Sequence, residues 1–281
     1  MGLSLPPLPP SVQPLSNRDS ERVSAALDGR FSTPDDCPTC GGRKTFRWYA
    51  PGSRDLSTVD AYDCPCADQW LSLRSMVAAG IGLHEQRLSV DDIASPEPQQ
   101  AVNQYVEHWA DYVRAGIGMV LHGPNGTGKT MAAVLLAKAL LVEGAKAYFS
   151  TFADMIEMFA AGWRDQDDKD WYRERIRGAH VLVVDDVGKE MHQGVQANTS
   201  NIARHVVDDV LRHRYSAALP TIITTNDDPR SIAANYGVSV ISLMAENSVQ
   251  CVFKGSDWRP SARQRFNIEI THGLTRPIVY L

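Results

Sequence analysis

The chain has 281 residues, 43% of them apolar, and a formal net charge of −5 at pH 7. That is length for one medium domain and a small one, with enough apolar content to form a core. The acidic balance excludes a protein coated in basic surface for duplex DNA, although a local basic groove is compatible with it. No apolar run approaches the roughly 20 residues of a membrane span, and prolines stand where a signal peptide would carry basic and then apolar residues. The expected location is cytoplasmic.

Residues 1–30 open with MGLSLPPLPPSVQPL, too proline-rich to bury a core, so a largely disordered arm is expected there. A small domain is expected over 31–88. It contains Cys37 and Cys40 as C-x-x-C and Cys64 and Cys66 as C-x-C, four thiolates that suffice for a closed tetrahedral zinc site. Gly41 and Gly42 permit the tight turn such a knuckle needs; redox thiols are the competing reading, and His84 is a substitute ligand. The aromatics Phe46, Trp48, Tyr49 and Tyr62 fall between the pairs, suited to packing around the metal or to stacking on bases. Helical periodicity covers 68–80. The fifth cysteine, Cys251, lies in an apolar run and reads as core.

The segment 89–99, with Asp91, Asp92, Pro96 and Pro98, reads as a linker, which assigns 89–281 to the main domain. From there helix and strand patterns alternate. Helices are expected over 100–114, 129–143, 152–161, 168–177 and 199–215, and strands over 118–122, 146–150, 181–184, 221–225 and 249–253. The order predicts an α/β fold with a five-stranded parallel sheet between helices.

Between the first strand and its helix stands GPNGTGKT. Gly123, Pro124, Asn125, Gly126, Thr127, Gly128, Lys129, Thr130 and Met131 form the expected phosphate loop. Backbone N–H groups close around the phosphates, Lys129 meets the β/γ oxygens, and the Thr130 hydroxyl faces magnesium. A bare glycine turn before a helix is the alternative, which the strand and helix flanks disfavour. VLVVDDVG ends an apolar strand in two acids, at the edge where open α/β sheets bind ligands. Asp185 is the expected magnesium ligand and Asp186 the group that polarises water. TIITTN ends in Asn226, placed to position that water, although a simple turn suits the same residues. Lys169, Arg173, Arg175 and Arg177, with Trp163, Trp171 and Tyr172, offer basic and aromatic groups for a single-strand groove. Nearby acids make a solvated helix pair the rival reading.

With these motifs the chain resembles the DnaC/DnaI-type replicative helicase loaders, AAA+ ATPases of bacteria and their phages. The likeness also draws on Ser242, Leu243 and Met244 and on Gly255, Ser256, Asp257, Trp258 and Arg259. The resemblance implies an AAA+ domain without a C-terminal lid behind a partner-binding zinc domain. It implies binding of ATP, Mg2+ and Zn2+, and ATP-dependent self-assembly into a spiral. The partners it implies are a DnaB-like replicative helicase and single-stranded DNA. By position it assigns Asp185 and Asp186 as the Walker B pair, Asn226 as sensor 1 and Arg259 as the sensor 2 arginine. Leu243 departs from the family, which places an arginine finger there; Arg230 and Arg214 are the substitutes in sequence. An IstB-like transposition-helper ATPase and a nucleotide-switched adaptor with weak hydrolysis are the alternative readings.

Overall fold

The computed structural model describes residues 45–48, 60–63, 75–82, 85, 88, 93, 96–161, 165–191 and 197–272. Two short strands, β1 (Thr45–Trp48) and β2 (Asp60–Asp63), form an antiparallel hairpin with Thr45 opposite Asp63. The main unit then runs α1 (Pro96–Glu107), α2 (Trp109–Ala115), β3 (Gly118–His122), α3 (Lys129–Val142), β4 (Ala147–Thr151), α4 (Phe152–Ala161) and α5 (Gln166–Tyr172). It continues with β5 (Val181–Val187), α6 (Ala197–Ser216), β6 (Thr221–Thr225), α7 (Pro229–Tyr236), α8 (Val238–Glu246), β7 (Ser248–Val252) and α9 (Arg259–Thr271).

Five strands make one sheet in the order β4-β5-β6-β3-β7, and every neighbouring pair is parallel. Both faces are covered, so the central strands are continuously apolar, as parallel strands must be when helices pack on each side. Alternation still sorts their side chains. Met119, Leu121, Val181, Val183 and Ile222 join α1 and α3 in one buried cluster. Val120, Leu182, Val184 and Ile223 join α4, α6 and α7 in the other, the period of 2 expected of a strand. Helix α3 is apolar nearly all round and lies buried along most of its length, the signature of a helix enclosed by protein.

Met76, Ala79, Ile81 and Ile93 belong to the first of these clusters, and the Phe149 amide donates to Ala79 O at 2.7 Å. Lys138, buried within α3, donates through Nζ to Leu88 O at 2.8 Å. The packed unit therefore begins ahead of residue 89.

The expected single helix over 100–114 is two helices broken at His108. Tyr105 and Tyr112 stack with ring centroids 4.5 Å apart. Seven residues of straight helix would separate them by about 10.5 Å, so the break is what brings them together. The expected helix over 168–177 changes to a π-turn at Arg173–Arg177, closed by Gly178 N donating to Arg173 O at 2.9 Å. Helices α7, α8 and α9 add to the expected pattern. Asp228 caps α7 by accepting from Ser231 N at 2.8 Å, with Pro229 at the first helical position, a standard helix start.

Candidate nucleotide site at the carboxyl edge of the sheet

The loop 123–130 leaves β3 and turns into α3, so its amides gather at a helix N-terminus, where the dipole and free N–H groups favour anions. The turn requires left-handed backbone at Gly126 (φ 74°) and Gly128 (φ 99°). A Cβ on Gly126 would lie 1.9 Å from Asp257 Oδ1 and would have to displace that carboxylate, and its positive φ favours glycine in any case. The Thr127 hydroxyl donates to Pro124 O at 2.8 Å. Lys129 is almost wholly buried, and its Nζ donates to Gly123 O at 2.8 Å and Pro124 O at 2.7 Å. Burial holds this ammonium below the usual lysine range, while the Asp186 and Asp185 carboxylates oppose that shift and Arg259 adds to it.

Asp185 lies two residues before the end of β5, buried, and accepts from two hydroxyls: Thr224 Oγ1 at 2.6 Å and Thr130 Oγ1 at 3.2 Å. Burial raises its pKa, and these two hydrogen bonds work against the rise. The Thr130–Asp185 contact joins loop to acid strand across 55 residues of sequence. A hydroxyl and a carboxylate converging beside a phosphate loop are hard oxygen donors suited to magnesium. Asp186 is next, with φ 61°, a backbone state uncommon outside glycine. Its N–H donates to Thr224 Oγ1 at 2.9 Å and its Oδ2 lies 3.2 Å from Lys189 Nζ. Asn226 directly follows β6 and is half-buried.

Arg259 opens α9 with its side chain largely exposed, 3.9 Å from Asp257 Oδ2. The turn before it lies on the phosphate loop, since Trp258 N donates to Gly126 O at 2.9 Å. Lys129, Thr130, Asp185, Asp186 and Arg259 are thus gathered around one loop from three separate elements, α3, β5 and α9.

Other expectations meet the structure differently. Arg214 cannot serve as a finger toward a neighbour: it is 0% exposed. Its guanidinium donates to Thr221 Oγ1 and to the carbonyls of Ile176, Arg177, Ala179 and Pro220. Arg230 is exposed in the first turn of α7. Leu243 lies within α8, half-buried. In the basic and aromatic stretch, Trp171 and Tyr172 are core residues. There Arg173 pairs with Asp170, and Arg177 pairs with Asp209. That leaves Trp171 and Tyr172 unable to stack on bases. Trp163, His84, Tyr49 and the four cysteines Cys37, Cys40, Cys64 and Cys66 lie outside the described residues. Among the described residues no group of three or more metal-binding side chains occurs. The sequence assigned no role to Thr224, Lys189 or Asp257; for Thr224 the available signal was a hydroxyl inside an otherwise apolar central strand.

A parallel sheet in this strand order, with a phosphate loop on β3 and acids ending β5, defines an AAA+-type P-loop ATP-binding protein. More specifically, the chain belongs to the family of IstB-like ATP binding proteins, whose model matches residues 86–237, over half its length. Among curated relatives, it is 27% identical over 163 residues to an insertion-sequence ATP-binding protein of Mycobacterium tuberculosis. That match covers 55% of this chain and 59% of the relative. It is also 23% identical over 193 residues to the replicative helicase loader DnaI of Bacillus subtilis, covering 64% of this chain and 58% of that protein. The chain thus spans less than two thirds of the length of either relative. Its fold is similar to that of the DnaC helicase loader, with TM-score 0.54 at 22% identity over 62% of this chain and 100% of that one. A solved DnaI structure gives TM-score 0.50 at 19% identity, over 63% and 93% of the two chains. No described helix is long and apolar enough to cross a membrane.

Proposed function

We propose that this protein is a cytoplasmic, ATP-hydrolysing helicase loader that delivers a ring-shaped replicative helicase to single-stranded DNA. The observation that carries the ATPase reading is the Thr130–Asp185 contact, which unites the phosphate loop with the acid strand. In this reading the loop amides and Lys129 bind the ATP phosphates, and Thr130 and Asp185 hold magnesium. The metal supplies charge neutralisation of the phosphates and a template for their orientation. Asp186 accepts a proton from the attacking water, Asn226 orients that water, and Arg259 lies against the transferring phosphate.

Leu243 offers neither charge nor donors where the loaders place an arginine finger. Loss of such a finger removes about 10³–10⁵ of rate in phosphoryl transfer, so hydrolysis by the isolated chain is weak. Arg230, exposed at the start of α7, is the remaining substitute when copies assemble into an ATP-dependent spiral. The arm expected over 1–30 lies outside the described residues; in this reading the cysteine-bearing segment after it binds the partner. The ATPase unit extends from about residue 75, since the buried cluster reaches Met76. Zinc is supported by β1 and β2: of their paired ends, Thr45 and Asp63, Asp63 directly precedes the Cys64–Cys66 pair and Thr45 follows Cys40 of the Cys37–Cys40 pair by five residues.

Family membership and the insertion-sequence relative favour a second reading, a transposition helper acting with a transposase on duplex DNA. The cysteine-flanked hairpin and the likeness to DnaI favour the loader. A delivery assay separates the two: helicase, ATP and protein are mixed with circular single-stranded DNA, and strand displacement is followed. Protein-dependent unwinding supports the loader; its absence, together with ATP-dependent filaments on duplex DNA, supports the transposition helper.

A further inference from the structure

The two acids of β5 stand opposite a single residue of β6. Val184 pairs with Ile223 and Val187 with Thr225, so Asp185 and Asp186 together face Thr224 alone. Two residues opposing one is a β-bulge, a device that re-aims side chains beside functional sites. Without it, successive residues of β5 would point to opposite faces of the sheet.

Thr224 is 0% exposed on a central strand, a position where an apolar β-branched residue would pack as well. A buried hydroxyl costs free energy unless it is hydrogen-bonded. This one is bonded twice, donating to Asp185 Oδ1 at 2.6 Å and accepting from Asp186 N at 2.9 Å. One group thereby fixes a carboxylate and the left-handed residue after it. The second carboxylate oxygen of Asp185 is left for Thr130. We infer that Thr224 is the positioning residue of the acid pair: its hydroxyl locks the bulge that turns Asp185 onto the phosphate loop and sets Asp186 beside it. The inference rests on the nucleotide-site reading above. Thr225 secures the exit of the bulge, donating to Val187 O at 2.7 Å, so the strand ahead of Asn226 grips the acid strand at two successive positions.

The test compares Thr224→Val with Thr224→Ser in the full chain. It reads kcat and KM for ATP, the Mg2+ concentration giving half-maximal rate, and nucleotide affinity by calorimetry with and without Mg2+. Valine keeps the shape and removes the hydroxyl. It is expected to lower kcat about tenfold or more and to raise the Mg2+ requirement several-fold. In the same variant KM for ATP and Mg2+-free nucleotide affinity stay within about twofold of wild type, because the binding loop is untouched. Serine restores kcat and Mg2+ requirement to within about threefold, since it retains donor and acceptor. A valine variant with wild-type kcat and Mg2+ dependence overturns the inference, as does a folded serine variant impaired as much as valine. If the valine protein is insoluble, Thr224→Ala serves in its place. Asp185→Ala distinguishes the two levels: retained Mg2+ dependence in that variant refutes the nucleotide-site reading, whereas loss in Asp185→Ala alone refutes only the role of Thr224.

Discussion

Arg214 carries a guanidinium into complete burial, and among the described residues no carboxylate pairs with it. Backbone carbonyls of the π-turn and of the α6–β6 connection solvate it instead, and burial pulls its pKa down to about 9. The sequence placed this arginine among substitutes for the missing finger, because burial of a charged residue has no local signature. Its role is internal: it ties the end of α6 to the turn entering β5 and so holds two strand starts together. Arg214→Met should therefore lower stability by about 3–5 kcal/mol, leaving several buried carbonyls without donors. Urea unfolding measures this, and an unchanged midpoint would refute the account.

At the scale of elements, strands were legible and breaks were not. β3 and β6 lie where continuous apolar runs bounded by polar residues predicted them. The break at His108, which lets Tyr112 stack on Tyr105, is marked by no glycine or proline in the sequence. The extension of β5 through Val187 follows from its pairing across the bulge with Thr225. Asp227, Asp228 and Pro229 signalled a turn, and the same residues cap α7, because turn and helix N-terminus use one chemistry. The candidate site was legible where a motif fixes backbone and side chain together, as in 123–130. It was illegible where a role depends on register, as for Thr224.

The hairpin β1–β2 pairs only four residues on each strand, and an isolated two-stranded hairpin is marginal in water. A metal at the flanking thiolates would supply what its small size lacks. Protein purified under reducing conditions should hold about one zinc per chain. Chelation should remove that zinc and, with it, the protection of the amides between Thr45 and Asp63 from hydrogen exchange. A zinc content near zero by elemental analysis would end the proposal.

For the whole molecule, one sheet edge collects the phosphate loop, the acid pair and Asn226, while Trp258 and Gly126 bring the start of α9 onto the same loop. Such an arrangement couples what fills the loop to the position of the last helix, which suits a protein whose nucleotide state governs a partner. On the proposed reading, Leu243 in place of an arginine finger makes binding rather than rapid turnover the dominant state. Capture of the cognate replicative helicase, with and without ATP, tests that claim most directly. Wild-type protein should retain the helicase in ATP, Asp186→Asn should retain it without release, and Lys129→Ala should fail at both nucleotide binding and capture. Equal capture by Lys129→Ala, or by wild-type protein without nucleotide, would contradict the account.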